Sequence, residues 1–184
     1  MIIETKRLIL RPFTPEDASA IYQYAKDPKI GPIAGWPLHT SVANSRQLIE
    51  QYLMKPEVYA VTLKANPTEA IGSVGLELIS AGDGQPFMGA DDAEIGYWIG
   101  VPFWGQGLIP EAMAALIEHG FETLNLANIW CGYYDGNHQS ERAQAKLGFQ
   151  PALTIDEMYN PILDDTRQEH FTKLTKKQWL TQKN

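Results

Sequence analysis

Residues 101–121, VPFWGQGLIPEAMAALIEHGF, constrain the fold more than any other stretch. Gly105 and Gly107 flank one polar residue, and the chain then enters a helical rhythm. Met113, Leu116, Ile117, Gly120, Phe121 and Leu124 recur at helical spacing, so 111–124 is predicted as an amphipathic helix whose apolar stripe needs a partner layer. The preceding AEIGYWI (93–99) reads as a strand, which makes the unit strand, glycine turn, helix. A helix start leaves its first N–H groups unpaired and carries partial positive charge, so it attracts anions. Two glycines let the backbone come close to a ligand and adopt positive φ, turning successive N–H groups toward one point. Pro110 suits the first helical position, where a missing N–H costs nothing. Taken alone, the turn reads equally as an anion cradle or as a tight connection without ligand. A dinucleotide fingerprint would need a third glycine where Pro110 stands, and a P-loop would need Gly-Lys-Ser/Thr.

The remaining elements fall on both sides of this unit. KRLILRPF (6–13) predicts a first strand, and TPEDASAIYQYAKD (14–27) a helix with Thr14 as N-cap, Pro15 at N1 and Asp17 at N3. Ala18, Ile21, Tyr22 and Ala25 form its stripe. The Gly/Pro-rich PKIGPIAGWPLHTS leads to a helix over 42–53 carrying Leu48, Ile49, Tyr52 and Leu53. Strands are predicted at 58–63, at 71–79, where Val74, Leu76 and Leu78 alternate as in a half-buried strand, and at 128–134, 150–158 and 168–174. A short helix over 138–147 is stopped by Gly148. This order is a mixed α/β domain. At 184 residues the chain fits a single domain over 1–184, long enough to bury roughly 70% of its unfolded surface.

Composition removes several function classes. Hydrophobic residues at 44% and charged residues at 20% read as globular. Fifteen basic against 22 acidic residues give a net charge of −7 with no Lys/Arg run, which argues against a nucleic-acid partner and suits a small cationic one. No run of ~18 apolar residues occurs and the start lacks the pattern of a signal peptide, so no membrane partner and a cytoplasmic location are expected. Cys131 is alone, which leaves no disulfide framework or thiolate zinc site, and reads as a buried small apolar residue. His39, His119, His138 and His170 lie far apart without metal spacing, so no metal is expected. No Ser-His-acid set and no paired-carboxylate site can be assembled from spacing.

The motifs agree in order over nearly the whole chain, from Glu4 to about Leu174: ETKRLILRPFTPEDA, GWPLHTS, AEIGYWIG, WGQGLIPEA, an amphipathic helix, a strand, then GNHQSERAQAKLGF with Asn137 and Ser140. This arrangement resembles the GNAT acyltransferase superfamily, and within it the ribosomal-protein-alanine N-acetyltransferase branch. The resemblance implies a GNAT fold of the α/β (α+β mixed) class, a central mostly antiparallel six- to seven-stranded sheet flanked by about four helices. It implies an acetyl-CoA-dependent N-acetyltransferase working by direct transfer in a ternary complex. The family's phosphate loop has the form Gln/Arg-x-x-Gly-x-Gly/Ala; Trp104 takes the first place, as in this branch, Gly107 the fourth, and Ile109 stands where a small residue is expected. Trp104, Gly105, Gln106, Gly107, Leu108 and Ile109 would then hold the pyrophosphate. Trp98, Ile99 and Gly100 would pair with the pantetheine arm through their backbone, and Asn137 would bond a pantetheine amide or serve as an ordinary N-cap.

The chemistry asks for few side chains. An α-amine has a pKa near 8, so a base must take one proton before it attacks. Glu94 is the candidate, sharing a strand face with Gly96 and Trp98 while Ile95, Tyr97 and Ile99 point the other way. Its alternative is an ion-paired glutamate that shapes the groove. Many superfamily members carry a Tyr seven residues after the motif Asn; Gln144 stands there, and Ser140 reads as proton donor to the thiolate, or as a helix-capping residue. Trp36, Tyr97, Tyr133 and Tyr134 are candidates for lining the acceptor site; Trp36 could equally cover the core's edge, and for Tyr133 and Tyr134 packing as strand aromatics is the commoner reading. The acceptor would be a protein N-terminal amine or a small-molecule amine, chosen by the 30–45 loop and the 156–168 segment. ILDDTRQE (162–169) reads as an attractor for a cationic acceptor or, preferably, as a solvated hairpin. Monomer and homodimer both fit. The competing function class is a non-catalytic acyl-CoA-binding regulatory domain.

Overall fold

The computed structural model describes residues 1–82 and 84–183. Eight strands follow one another in hydrogen-bonding order β1-β2-β3-β4-β5-β6-β8-β7: β1 Ile3–Glu4, β2 Leu8–Pro12, β3 Val58–Leu63, β4 Asn66–Leu78, β5 Asp92–Ile99, β6 Asn128–Tyr134, β7 Gln150–Asn160 and β8 Asp165–Thr175. The α-helices are α1 Ala18–Ala25, α2 Gly31–Ala34, α3 Val42–Leu48, α4 Leu108–Glu122, α5 His138–Lys146 and α6 Lys176–Lys183. The described chain divides into two compact units, Met1–Gly75 with Tyr97–Ala115, and Leu76–Gly96 with Leu116–Asn184.

In the first unit, β1, β2, β3 and β4 pair antiparallel in turn. The two-residue β1 is the strand beyond the expected six or seven. Thr5 N–H donates to the Leu8 carbonyl at 3.0 Å, folding the start of the chain back so that Ile3 pairs with Leu10. A 3-10 turn over Pro15–Asp17 precedes α1, and the Asp17 carboxylate accepts from Thr14 N–H at 2.9 Å, as an N3 acid should. Ala18, Ile21 and Ala25 are buried as expected, but Tyr24 rather than Tyr22 completes the inner face. Phe13, Ile49, Ala60 and Ala70 join Ala18, Ile21 and Ala25 in one apolar cluster. The predicted helix over 42–53 is α only to Leu48 and continues as one π turn, Ile49–Leu53.

Two expectations about regular elements are corrected. Residues 70–76 are all buried, so β4 does not alternate between core and solvent there as the spacing of Val74, Leu76 and Leu78 suggested; both of its faces are covered. Helix α4 starts at Leu108, which puts Pro110 at its third position rather than its first. The first-turn N–H groups have no intrahelical partner, so the proline is tolerated there as well. Helices α2 and α6 were not legible. The first is a single turn closed by Gly35 at φ 91°, and the second, KKQWLTQK, is polar apart from buried Trp179 and exposed Leu180.

In the second unit, β5 runs parallel to β6, β6 antiparallel to β8, and β8 antiparallel to β7. The β5–β6 ladder joins Asp92, Ala93 and Glu94 to Asn128, Ile129 and Trp130, and β5 runs on past it to Ile99. Met88, Trp130 and Phe171 form a buried cluster under Phe87, Ile79, Ile155 and Met158. Buried Asp92 fixes the base of this unit by accepting from Gly89 N–H at 2.9 Å, the Asn128 amide at 2.7 Å and the Trp130 indole at 2.8 Å.

Candidate active site

In the first unit, the chain leaves β5 through a 3-10 turn, Val101–Phe103, and reaches α4 through the two glycines. Gly105 has φ +74° and Gly107 φ +71°, the left-handed region that favours glycine. A Cβ on Gly105 would meet no atom within 4 Å, so the backbone there is open. Among the described residues, the N–H groups of Gly105, Gln106, Gly107, Leu108 and Ile109 donate to no protein acceptor. These are five amides at the positive end of a fifteen-residue helix, a set of donors suited to a diphosphate. Ile109 is 9% exposed and Leu108 2%, so the bulk of the residue that departs from the family form is turned into the interior.

Several side chains hold this turn. The Trp104 indole N–H donates to the Ile99 carbonyl at 2.9 Å, folding the ring back over the end of β5. Gly100 N–H donates to the Ile71 carbonyl at 2.9 Å, and a Cβ on Gly100 would lie 2.6 Å from the Tyr24 ring. Two backbone groups expected to face the pantetheine arm are therefore already engaged. Trp98 and Trp36 meet edge to face with centroids 5.5 Å apart, and His39 sits 5.3 Å from the same Trp36 ring. Tyr97 is half-buried, one position along β5 from Trp98 and so on the opposite face.

In the second unit, the register puts Glu94 beside Trp130, Gly132 beside Phe171, and Tyr134 beside Glu169. With alternation along each strand, Glu94, Trp130, Gly132, Tyr134, Glu169 and Phe171 share one face. A Cβ on Gly132 would stand 2.7 Å from Glu169 Oε1 and 3.3 Å from Glu94 Oε1, so the absent side chain is what lets the two carboxylates converge. This corrects the expectation that no paired-carboxylate site could be assembled. Burial pushes the Glu94 carboxyl up to about 8, with repulsion from Glu77 and then Glu169 adding to it. Burial alone pushes Glu169 up to about 7. Glu169 closes the ILDDTRQE stretch; the exposed turn holds Ile162 and Asp164, while Glu169 is drawn inward by β8.

On the opposite face, Asn137 caps α5, its Oδ1 accepting from Ser140 N–H at 3.2 Å. The Ser140 hydroxyl oxygen accepts from the Gln144 amide at 3.0 Å, and that amide also donates to the Gly132 carbonyl at 3.3 Å. Thr172 Oγ1 donates to Gln144 Oε1 at 2.7 Å. Fully buried Gln144 is the hub of this network. Cys131 is buried on that face, and its S–H donates to the Ile95 carbonyl at 3.3 Å. Tyr133 also points there and stacks on His170 at 5.1 Å; the tyrosine on the Glu94 face is Tyr134. The same register lines up Thr154, His170 and Asp135, with Thr154 Oγ1 3.1 Å from His170 Nδ1 and Asp135 Oδ1 3.0 Å from His170 Nε2. A hydroxyl–His–acid row therefore exists, contrary to the expectation from spacing, because β8 carries His170 between two neighbouring strands.

Sequence reasoning missed Glu77, Glu169, Arg7 and Glu111. The first two carry no local signal, since their meeting with Glu94 depends on pairing between distant strands. Arg7 was visible within the TKRL motif but had no assigned partner. Among the described residues, no group of three or more His, Cys, Asp or Glu is placed to hold a metal ion, and no helix is long and apolar enough to cross a membrane.

A family model described as an acetyltransferase (GNAT) domain matches residues 7–150. The chain is 32% identical to the uncharacterized N-acetyltransferase p20 of Bacillus licheniformis over 150 residues, covering 79% of this chain and 80% of that protein. Its fold is similar to that of a GNAT-family acetyltransferase from Bacillus anthracis, with TM-score 0.78 at 19% identity over 96% of this chain and 99% of the other. It is also similar to that of the ribosomal-protein-S5-alanine acetyltransferase from Vibrio fischeri, with TM-score 0.70 at 21% identity over 97% and 98%.

Proposed function

The chain belongs to the acetyltransferase (GNAT) domain family, and we propose that it transfers an acetyl group from acetyl-CoA to a primary amine by direct attack in a ternary complex. The observation that carries this reading is the run of amides from Gly105 to Ile109 that no protein acceptor takes up among the described residues, with two positive-φ glycines and open space at Gly105. These residues fit a pyrophosphate: every donor is a backbone N–H at or just before a helix start. The bound co-substrate supplies an activated acyl thioester.

The acceptor ammonium first loses one proton to solvent, and Glu94 takes a second from the nitrogen as the nitrogen–carbon bond forms and the carbon–sulfur bond breaks. A carboxyl raised to about 8 matches the proton affinity of an α-amine, which is what general-base catalysis near neutral pH requires. Water returns a proton to the departing thiolate; Ser140, the candidate named from the sequence for that role, stands on the face opposite Glu94, its oxygen accepting from the Gln144 amide at 3.0 Å. A backbone N–H of β5 near Trp98 is the natural donor to the oxyanion. The carboxylates of Glu77, Glu94 and Glu169 favour a cationic acceptor, either a protein N-terminal amine, as the similarity to the S5-alanine enzyme suggests, or a small amine. The family match covers residues 7–150, which include segments of both compact units, in keeping with one domain over 1–184.

Thermal unfolding with saturating acetyl-CoA, CoA and NAD tests the cofactor reading. A ligand at 100 times its Kd adds about 2.7 kcal/mol of stability. A rise in Tm with acetyl-CoA and CoA but not NAD is expected; equal curves in all conditions would overturn the proposal.

A further inference from the structure

Arg7 lies in the TKRL motif, outside every role assigned above. Its Nε donates to Glu111 Oε2 at 2.7 Å, its backbone N–H to Glu111 Oε1 at 2.7 Å, and its Nη1 to the Gln106 carbonyl at 2.9 Å. Thr5 Oγ1 adds a further bond to Glu111 Oε1 at 2.6 Å. The Arg7 side chain is 43% exposed, and ion pairs this open contribute only ~0–1 kcal/mol to stability. Four directed bonds at such a place are better explained by what they orient.

They orient the cradle in two ways. In a trans peptide the C=O and N–H point in opposite directions, so tying the Gln106 carbonyl to Arg7 aims the Gly107 N–H away from it. Glu111 stands in the first turn of α4, where a free carboxylate would compete with a ligand anion for the helix's positive end. Burial raises its carboxyl, but bonds from Thr5 and Arg7 outweigh burial and hold it ionised and fully used.

We propose, building on the acetyl-CoA reading, that Arg7 is a positioning residue that fixes the Gln106–Gly107 peptide and neutralises Glu111, leaving the amides of Gly105–Ile109 to the pyrophosphate. Titration calorimetry with CoA and with pantetheine, which lacks the pyrophosphate, separates this role from general support of the fold. Arg7→Met is expected to weaken CoA binding roughly ten- to a hundredfold, the scale of a lost charge-assisted bond, and to leave pantetheine binding unchanged. Arg7→Met combined with Glu111→Gln is expected to regain part of the CoA affinity, because no unpaired carboxylate remains. Unchanged CoA binding by Arg7→Met, or equal weakening of both ligands, overturns the inference alone. A wild-type chain that takes no CoA overturns the cofactor reading first, and this inference with it.

Discussion

Glu94 on β5 and Glu169 on β8 converge over Gly132, where an added Cβ would stand 3.3 Å from one carboxylate oxygen and 2.7 Å from the other. Three consequences concern this pair, one concerns the base of its own unit, and one concerns the first unit.

Both carboxyls are raised from an ordinary 4.5, Glu94 to about 8 and Glu169 to about 7. Above pH ~4.5 the unfolded chain releases these protons before the folded one does. Their contribution to stability is therefore complete below that value and is lost as pH rises to about 8. Thermal unfolding from pH 5 to pH 9 should show Tm falling, by roughly 2–4 °C for each kcal/mol lost. Glu94→Gln should remove most of that slope; a slope equal to wild type would show that Glu94 is ionised throughout.

Catalysis carries the opposite sign. A general base works deprotonated, so kcat should rise as pH passes through about 8. Glu94→Gln should lower kcat by about 10²–10⁴-fold without a matching loss of acetyl-CoA affinity. Stopped-time assays of thiol release across the pH range read both.

Glu169→Gln removes a like charge that faces Glu94. The rise in kcat should then move to lower pH, with activity at the alkaline plateau kept near wild type. A pH–rate profile identical to wild type would mean that the two carboxylates titrate independently.

Asp92 is 5% exposed and accepts from three donors, Gly89 N–H, Asn128 and Trp130. Asp92→Ala strands all three, at ~1–3 kcal/mol for each donor that water does not reach. Urea unfolding should show a loss of at least about 2 kcal/mol.

Arg11 grips buried Asp17 with two bonds, 2.8 Å and 2.6 Å long. Arg11→Met leaves a buried carboxylate unpaired, at a cost of about 3–5 kcal/mol. Adding Asp17→Asn should restore part of the loss, giving a non-additive double-mutant cycle by the same urea measurement.

Much of the fold was legible because its signals are short-range. Val58–Leu63 and Asn128–Tyr134 sit where the β-branched and aromatic runs put them, and the stripe from Met113 to Phe121 marked α4. The glycine turn was legible too, since positive φ at Gly105 and Gly107 is a demand that glycine itself announces. Asn137 was open between ligand contact and N-cap; its cap bond to Ser140 is now visible. What stayed hidden shares one property. Glu169 with Glu94, His170 with Thr154 and Asp135, and Arg7 with Glu111 are all meetings between segments far apart in the chain.

The order of elements, the place of the glycine turn and the family could be read from the sequence alone, because periodicity, glycine and capping chemistry act within a few residues. Tertiary structure alone decided which side chains meet. A shift of one residue in the pairing of β8 with β6 would turn Glu169 to the other face and bring His170 over Glu94's side. That register is set by burying Phe171 against Trp130 and Met88, a choice made by the packed core and by no local run of residues.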